Sequence, residues 1–123
     1  MVNIDYNSSK AIHEQIYEEF ARLILSRALK PDEKLPSVRE LASLIKVNPN
    51  TIQKAFKNLE TDNYIYSVKG IGSFVKSADE LRMLHIKKLK IKLAKAIKSL
   101  KELGLSDHDL TEIFKNILNG SNS

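Results

Sequence analysis

A mainly α-helical fold carrying one small β-hairpin is what this sequence predicts, and three observations predict it. Apolar residues recur at steps of three and four over most of the 123 residues. The period changes to strand type once, over "DNYIYSVKGIGSFVKS" at residues 62–77. Past Ser77 the helical period returns in a lysine-rich setting. The expected division is therefore a first domain over residues 1–77 and a helical segment over residues 78–120.

Ile12, Ile16, Phe20, Leu23 and Ile24 lie on one face of a first helix, with Glu14, Glu18, Glu19 and Arg22 on the other. Its expected bounds run from Ser8 or Ser9 to about Ala28. "LKPDEKLPS" follows, and Pro31 and Pro36 make it a connection. Ser37 stands three residues before Glu40, a spacing at which the two can reciprocally cap a helix buried through Val38, Leu41, Ala42 and Ile45. That helix is expected to end near Lys46.

In "KVNPNTIQKAF", Asn48 is a favoured N-cap, and Pro49 takes the first helical position, where its missing N–H costs nothing. Ile52, Ala55, Phe56 and Leu59 form the inward stripe of this helix. Only two or three residues separate it from the previous one, which forces a sharp crossing. Ile65, Tyr66 and Val68, then Ser73, Phe74 and Val75, flank Lys69-Gly70-Ile71-Gly72 as a hairpin. Tyr64, Tyr66 and Phe74 read as hairpin core rather than as base-stacking groups.

Over "DELRMLHIKKLKIKLAKAIKSLKELG", the apolar face is wider than one helix needs outside a core, and Gly104 ends the helix. Ser106 with Asp109 starts a last amphipathic helix. Ile86, Leu89, Leu93, Ile97 and Leu100 of the first, with Leu110, Ile113, Phe114 and Ile117 of the second, are the expected dimerisation residues. Lys87, Lys88, Lys90, Lys92, Lys95, Lys98 and Lys101 leave a competing reading, an interaction module binding a protein partner or an anionic membrane. The absence of Trp and the continuation of the stripe into a second helix favour the dimer, with no membrane contact.

The chain has no cysteine, no 18-residue apolar run and no signal-peptide pattern, so a cytoplasmic location is the expectation. His13, His85 and His108 stand too far apart for a local metal motif, and no catalytic set emerges; neither a cofactor, a metal nor an enzyme activity is expected. The formal charge is +5 and the sequence pI near 9.4, which suits a polyanionic partner. Residues 34–76 hold seven basic and three acidic residues, a balance of +4, and so most of that charge.

Helix, short helix, tight turn, helix and hairpin in this order make a winged helix-turn-helix domain, the element that lays its second short helix in the DNA major groove. At these residues the sequence resembles the GntR family of bacterial transcription regulators. "AIHEQI" and "LKPDEKLPSVRELASLIKVNPNTIQKAFKNLETDNYIYSVKGIGSFV" carry the likeness over roughly residues 11–75, with "KLPSVRELA", "NPNT" and "GIGSFV" in order at the family's spacing. The short helical C-terminal part resembles the YtrA-type branch, whose members lack a large effector domain and dimerise through two helices. Departures fall at helix ends and turns: Ala11-Ile12-His13 replaces a common Pro-Ile-Tyr, Arg27-Ala28 a glycine-bearing pair, and Asn63 the glycine before the wing.

The resemblance implies that Arg39 meets the DNA backbone or a base edge, that Asn50, Thr51, Gln53 and Lys54 lie on the reading half of the recognition helix, and that Lys69, Gly70 and Gly72 form the wing tip. The residue chemistry agrees: Asn and Gln bond bidentately to adenine, Thr meets phosphate or a thymine methyl, and Lys54 and Lys57 neutralise phosphate. The tip of that helix is also expected to offer exposed backbone amides. The expected partner is thus a double-stranded, inverted-repeat operator bound by a homodimer. The resemblance further implies repression and control of a nearby transporter operon, with room for a small-molecule effector only at the dimer interface or between domains.

Overall fold

Helix α1 (Ile12–Leu25) starts later and ends earlier than its sequence pattern suggests, and side-chain chemistry explains both limits. The Gln15 amide oxygen accepts from Asp5 N–H at 2.8 Å, while its NH2 donates to the carbonyls of Asp5 and Lys10 at 2.9 and 3.1 Å. Residues 5–10 are thereby held in a turn and cannot wind into the helix. At the other end Arg27 adopts φ 64°, a left-handed conformation that stops α1. The computed structural model describes residues 3–120.

Helix α2 (Val38–Ile45) is capped by Ser37, whose hydroxyl accepts from Glu40 N–H at 3.0 Å. The expected return bond from the Glu40 side chain is not formed. Its carboxylate stays exposed in the first turn, where the helix dipole favours a negative charge without a hydrogen bond. Lys46, at φ 55°, turns the chain, and Val47 N–H reaches back to the Ala42 carbonyl at 3.2 Å.

Helix α3 (Pro49–Thr61) begins after Asn48, so Lys46, Val47 and Asn48 are the whole connection. Ile52, Ala55, Phe56 and Leu59 are buried against Ile16, Phe20, Ala21 and Ile24 of α1 and against Leu41 and Ala42 of α2. The Phe20 and Phe56 rings meet edge to face at 5.6 Å. Each fully buried large aromatic or aliphatic side chain contributes about 1.5–3 kcal/mol, so the stripe is a substantial share of what holds the domain together.

A Schellman turn ends α3: Asn63, at φ 66°, donates to the Glu60 carbonyl at 3.1 Å and Tyr64 N–H to that of Leu59 at 2.9 Å. Arg27, in the pair that departs from the resembling family's glycine-bearing one, and Asn63, in place of its glycine, are both left-handed here despite their side chains. The Tyr17 hydroxyl donates to the Asp62 carboxylate beside this turn, and burial, aided by that bond, raises the Tyr17 pKa above the ordinary value.

Strands β1 (Ile65–Val68) and β2 (Gly72–Val75) pair antiparallel, with Ile65 opposite Val75, Tyr66 opposite Phe74 and Val68 opposite Gly72. Ile65 and Val75 are buried, as is Tyr64, while Tyr66 and Phe74 stack at 5.5 Å on the other face. The proline-flanked connection is more ordered than its composition implies. Val75 N–H donates to the Glu33 carbonyl and Leu35 N–H to that of Ser73, both at 2.9 Å, so residues 33–35 add a short third edge to the wing.

The chain divides into two units at Arg82 and Met83. Helix α4 (Asp79–Glu102) crosses that division; its first turn belongs to the first unit, with Leu81 against the core and Asp79 paired with Arg27 at 2.8 Å. Gly104 adopts φ 91° and closes a Schellman turn, with Leu105 N–H on the Leu100 carbonyl at 3.4 Å. Helix α5 (Asp107–Leu118) then starts from the full capping box expected of Ser106 and Asp109. Neither α4 nor α5 contains a buried residue.

The left-handed cost at Lys46 is removable, since its side chain makes no ion pair within the described residues. Lys46→Gly should raise stability by roughly 0.5–1 kcal/mol, the left-handed penalty less the backbone entropy of glycine. Thermal unfolding of the two proteins measures it, and a lower midpoint for the glycine variant contradicts the account.

Candidate nucleic-acid interface

Helix α3 has its inward face filled, which decides where its polar residues point. Ile52, Ala55 and Leu59 are fully buried, whereas Asn50, Gln53, Lys54 and Lys57 are exposed and Thr51 is half-buried. None of these polar side chains forms a hydrogen bond or ion pair within the described residues. The same holds for Arg39, exposed in the first turn of α2. Six polar or cationic groups on two adjoining helices are thus unengaged within the described residues, and all but Thr51 are exposed.

The expected row of free amides at the tip of α3 is absent. Pro49 has no N–H; that of Asn50 is taken by Asn48 Oδ1 at 2.8 Å, and that of Thr51 by the Asn48 carbonyl at 3.0 Å. Asn48 satisfies the helix end so completely that the backbone has nothing left for a phosphate. Only side chains remain unengaged at this tip among the described residues.

In the wing, Lys69 and Gly70 belong to the tight turn, whereas Gly72 is already in β2, opposite Val68. Gly72 adopts φ 145°, and a Cβ there would stand 3.1 Å from Lys34 Cε. Lys34, counted from sequence only toward the basic balance, therefore lies over the wing. Nothing in the sequence pattern announces this, because it follows from the pairing of residues 33–35 with β2.

In the second unit, Leu93, Ile97, Leu100, Leu110, Ile113, Phe114 and Ile117 line one open groove of about 350 Å³ between α4 and α5. Ile86 and Leu89, expected with them, lie outside it. Helix α4 has 24 residues and α5 has 12, about 36 and 18 Å of helix, so α5 cannot reach their end of the stripe. Among the described residues no helix is long and apolar enough to cross a membrane.

A three-residue turn between two packed helices, followed by a hairpin, defines a winged helix-turn-helix protein. Residues 12–75 match the model of the bacterial regulatory proteins of the gntR family, and the chain belongs to that family. It is 39% identical to the HTH-type transcriptional repressor YtrA of Bacillus subtilis over 108 residues, 88% of this chain and 79% of YtrA. A match of that length extends past residue 75 into the C-terminal helices, in keeping with the YtrA-type branch. The crystal structure of a transcriptional regulator from Oenococcus oeni superposes with a TM-score of 0.71 at 26% identity, over 96% of this chain and 99% of that one. The DNA-binding domain of AraR in complex with its operator ORE1 matches 61% of this chain and 92% of that one, with a TM-score of 0.52 and 31% identity. These relatives are transcription regulators rather than enzymes.

The Asn48 cap is separable from the exposed polar residues beside it. Asn48→Ala should cost about 1 kcal/mol of stability in urea unfolding and Asn48→Ser much less, since serine caps nearly as well. Equal losses for both variants would assign Asn48 some other role.

Proposed function

We propose that this chain is a cytoplasmic, homodimeric repressor that binds an inverted-repeat operator through Arg39, Asn50, Thr51, Gln53, Lys54 and Lys57, with Lys69, Gly70 and Gly72 laid beside the adjoining groove. The observation that carries the reading is the one-sided commitment of α3. Its apolar face is consumed by the core, while the facing polar side chains have no partner within the described residues. Asn50 and Gln53 have the donor-acceptor pairs that adenine presents in the major groove, and the lysines suit phosphate. The family and the operator-bound AraR domain support the same reading. Control of a nearby transporter operon is carried over from the YtrA-type resemblance.

The second unit supplies the motive for pairing. Leu93 is 50% exposed, Phe114 51% and Ile117 59%, so an apolar groove stands open in a single chain. A second copy seated there turns one reading helix into two. A good bidentate contact discriminates by about 1–3 kcal/mol, and two linked half-sites double that sum. A small-molecule effector would have its place at that interface.

Selection of duplexes from random sequence should return a palindrome. Arg39→Ala should weaken its binding by at least about tenfold with the helical circular dichroism unchanged, and Gln53→Ala should relax preference at one position of each half-site. Equal affinity of the wild type for scrambled duplex, or binding to anionic vesicles alone, would overturn the DNA-binding reading in favour of an interaction module.

The pairing itself is measured by sedimentation. The wild type should have the mass of a dimer at micromolar concentration, and Phe114→Glu, which places a charge in the groove, should lower it toward that of one chain. A folded wild type of monomeric mass would count against the homodimer.

A further inference from the structure

We infer that Lys34 is a phosphate-binding residue of the wing, delivered to it from the connection between α1 and α2 by strand pairing; the inference rests on the DNA-binding reading above. Residues 33–35 are hydrogen-bonded along the outer edge of β2, with Lys34 opposite Phe74. Side chains alternate along such a strand, so Leu35, 3% exposed, enters the core and Lys34 takes the face of Phe74. Gly72 is two residues from Phe74 on that same face. With no side chain there, the Lys34 methylenes pass over the backbone of β2 at the start of the strand, next to the Lys69-Gly70-Ile71 turn.

The neighbouring carboxylates do not hold this ammonium. Asp32 accepts the Tyr66 hydroxyl at 2.8 Å and Glu33 accepts Lys30 N–H at 3.2 Å, and Lys34 has no ion pair within the described residues. A lysine whose stem passes over Gly72, with no ion pair within the described residues, suits a phosphate better than a base edge. It is a compact charge without the planar fork that reads guanine.

The test uses the full chain and a duplex that the wild type has selected from random sequence. Lys34→Gln should lower the magnitude of the slope of log affinity against log salt by about 0.9 for each protomer bound. Between 50 and 200 mM salt that is roughly a threefold smaller loss of affinity per contact. Lys34→Arg should restore the slope, and neither change should alter the base preference or the circular dichroism spectrum.

An unchanged slope for Lys34→Gln, with the wild type binding normally, overturns this inference and leaves the DNA reading standing. So does a loss of affinity equal at all salt concentrations, which would mean a packing role. A wild type that binds neither the selected nor the scrambled duplex removes the DNA reading and this inference together.

Discussion

The edge-to-face contact of Phe20 with Phe56, 5.6 Å between ring centres, fixes α3 against α1, and the rest of the first unit depends on it. A helix with one face locked has its opposite face determined. Ile52, Ala55, Phe56 and Leu59 at steps of three and four leave Asn50, Gln53, Lys54 and Lys57 no direction but outward. Helix α2 closes the third side through Leu41 and Ala42. The exit of α3 is held as well, by the Schellman turn at Asn63 and by Tyr17, which meets the Tyr64 ring at 6.0 Å and donates to Asp62. The hairpin that follows is aimed by these contacts.

Features encoded over three or four residues were legible in the sequence. The caps at Ser37, Asn48 and Ser106, the Gly104 stop and the inward stripes all follow from local spacing, and each is present. What escaped was set by partners distant along the chain. Gln15 reaches ten residues back to Asp5 and delays α1, and residues 33–35 find the edge of β2 some forty residues away. Lys34 gains its place over Gly72 from that second pairing, so no local pattern marks it. Glu40 shows a different limit: its spacing from Ser37 permits a reciprocal bond, but an exposed carboxylate at a helix N-terminus is already favoured in water.

The two units satisfy their apolar residues differently. In the first, sixteen hydrophobic residues are buried from Ile16 to Ala78. In the second, α4 and α5 have sound ends, a Schellman turn and a capping box, but no buried side chain. Local chemistry has made two good helices there without a core to hold them. A helix as short as α5, with 12 residues, owes most of its stability to packing of its apolar face, so a unit of this kind gains order from whatever covers its groove. Under the proposed dimer, folding of the second unit and association are one process, and operator affinity should depend on chain concentration.

The tip of α3 shows how such a helix divides its labour. Three backbone positions that could have offered amides to a phosphate are withdrawn, one by proline and two by Asn48. A tip with free amides attracts any phosphate and carries no sequence information. With those donors satisfied internally, the first turns can contribute only through Asn50, Thr51, Gln53 and Lys54, two of which carry the donor-acceptor pairs that distinguish bases. Under the proposed function, non-specific attraction is left to lysines elsewhere, among them Lys34 and Lys69 at the wing. Under the proposed function, the cap therefore does more than start the helix: it shifts the balance at the tip from affinity for any duplex toward discrimination among duplexes.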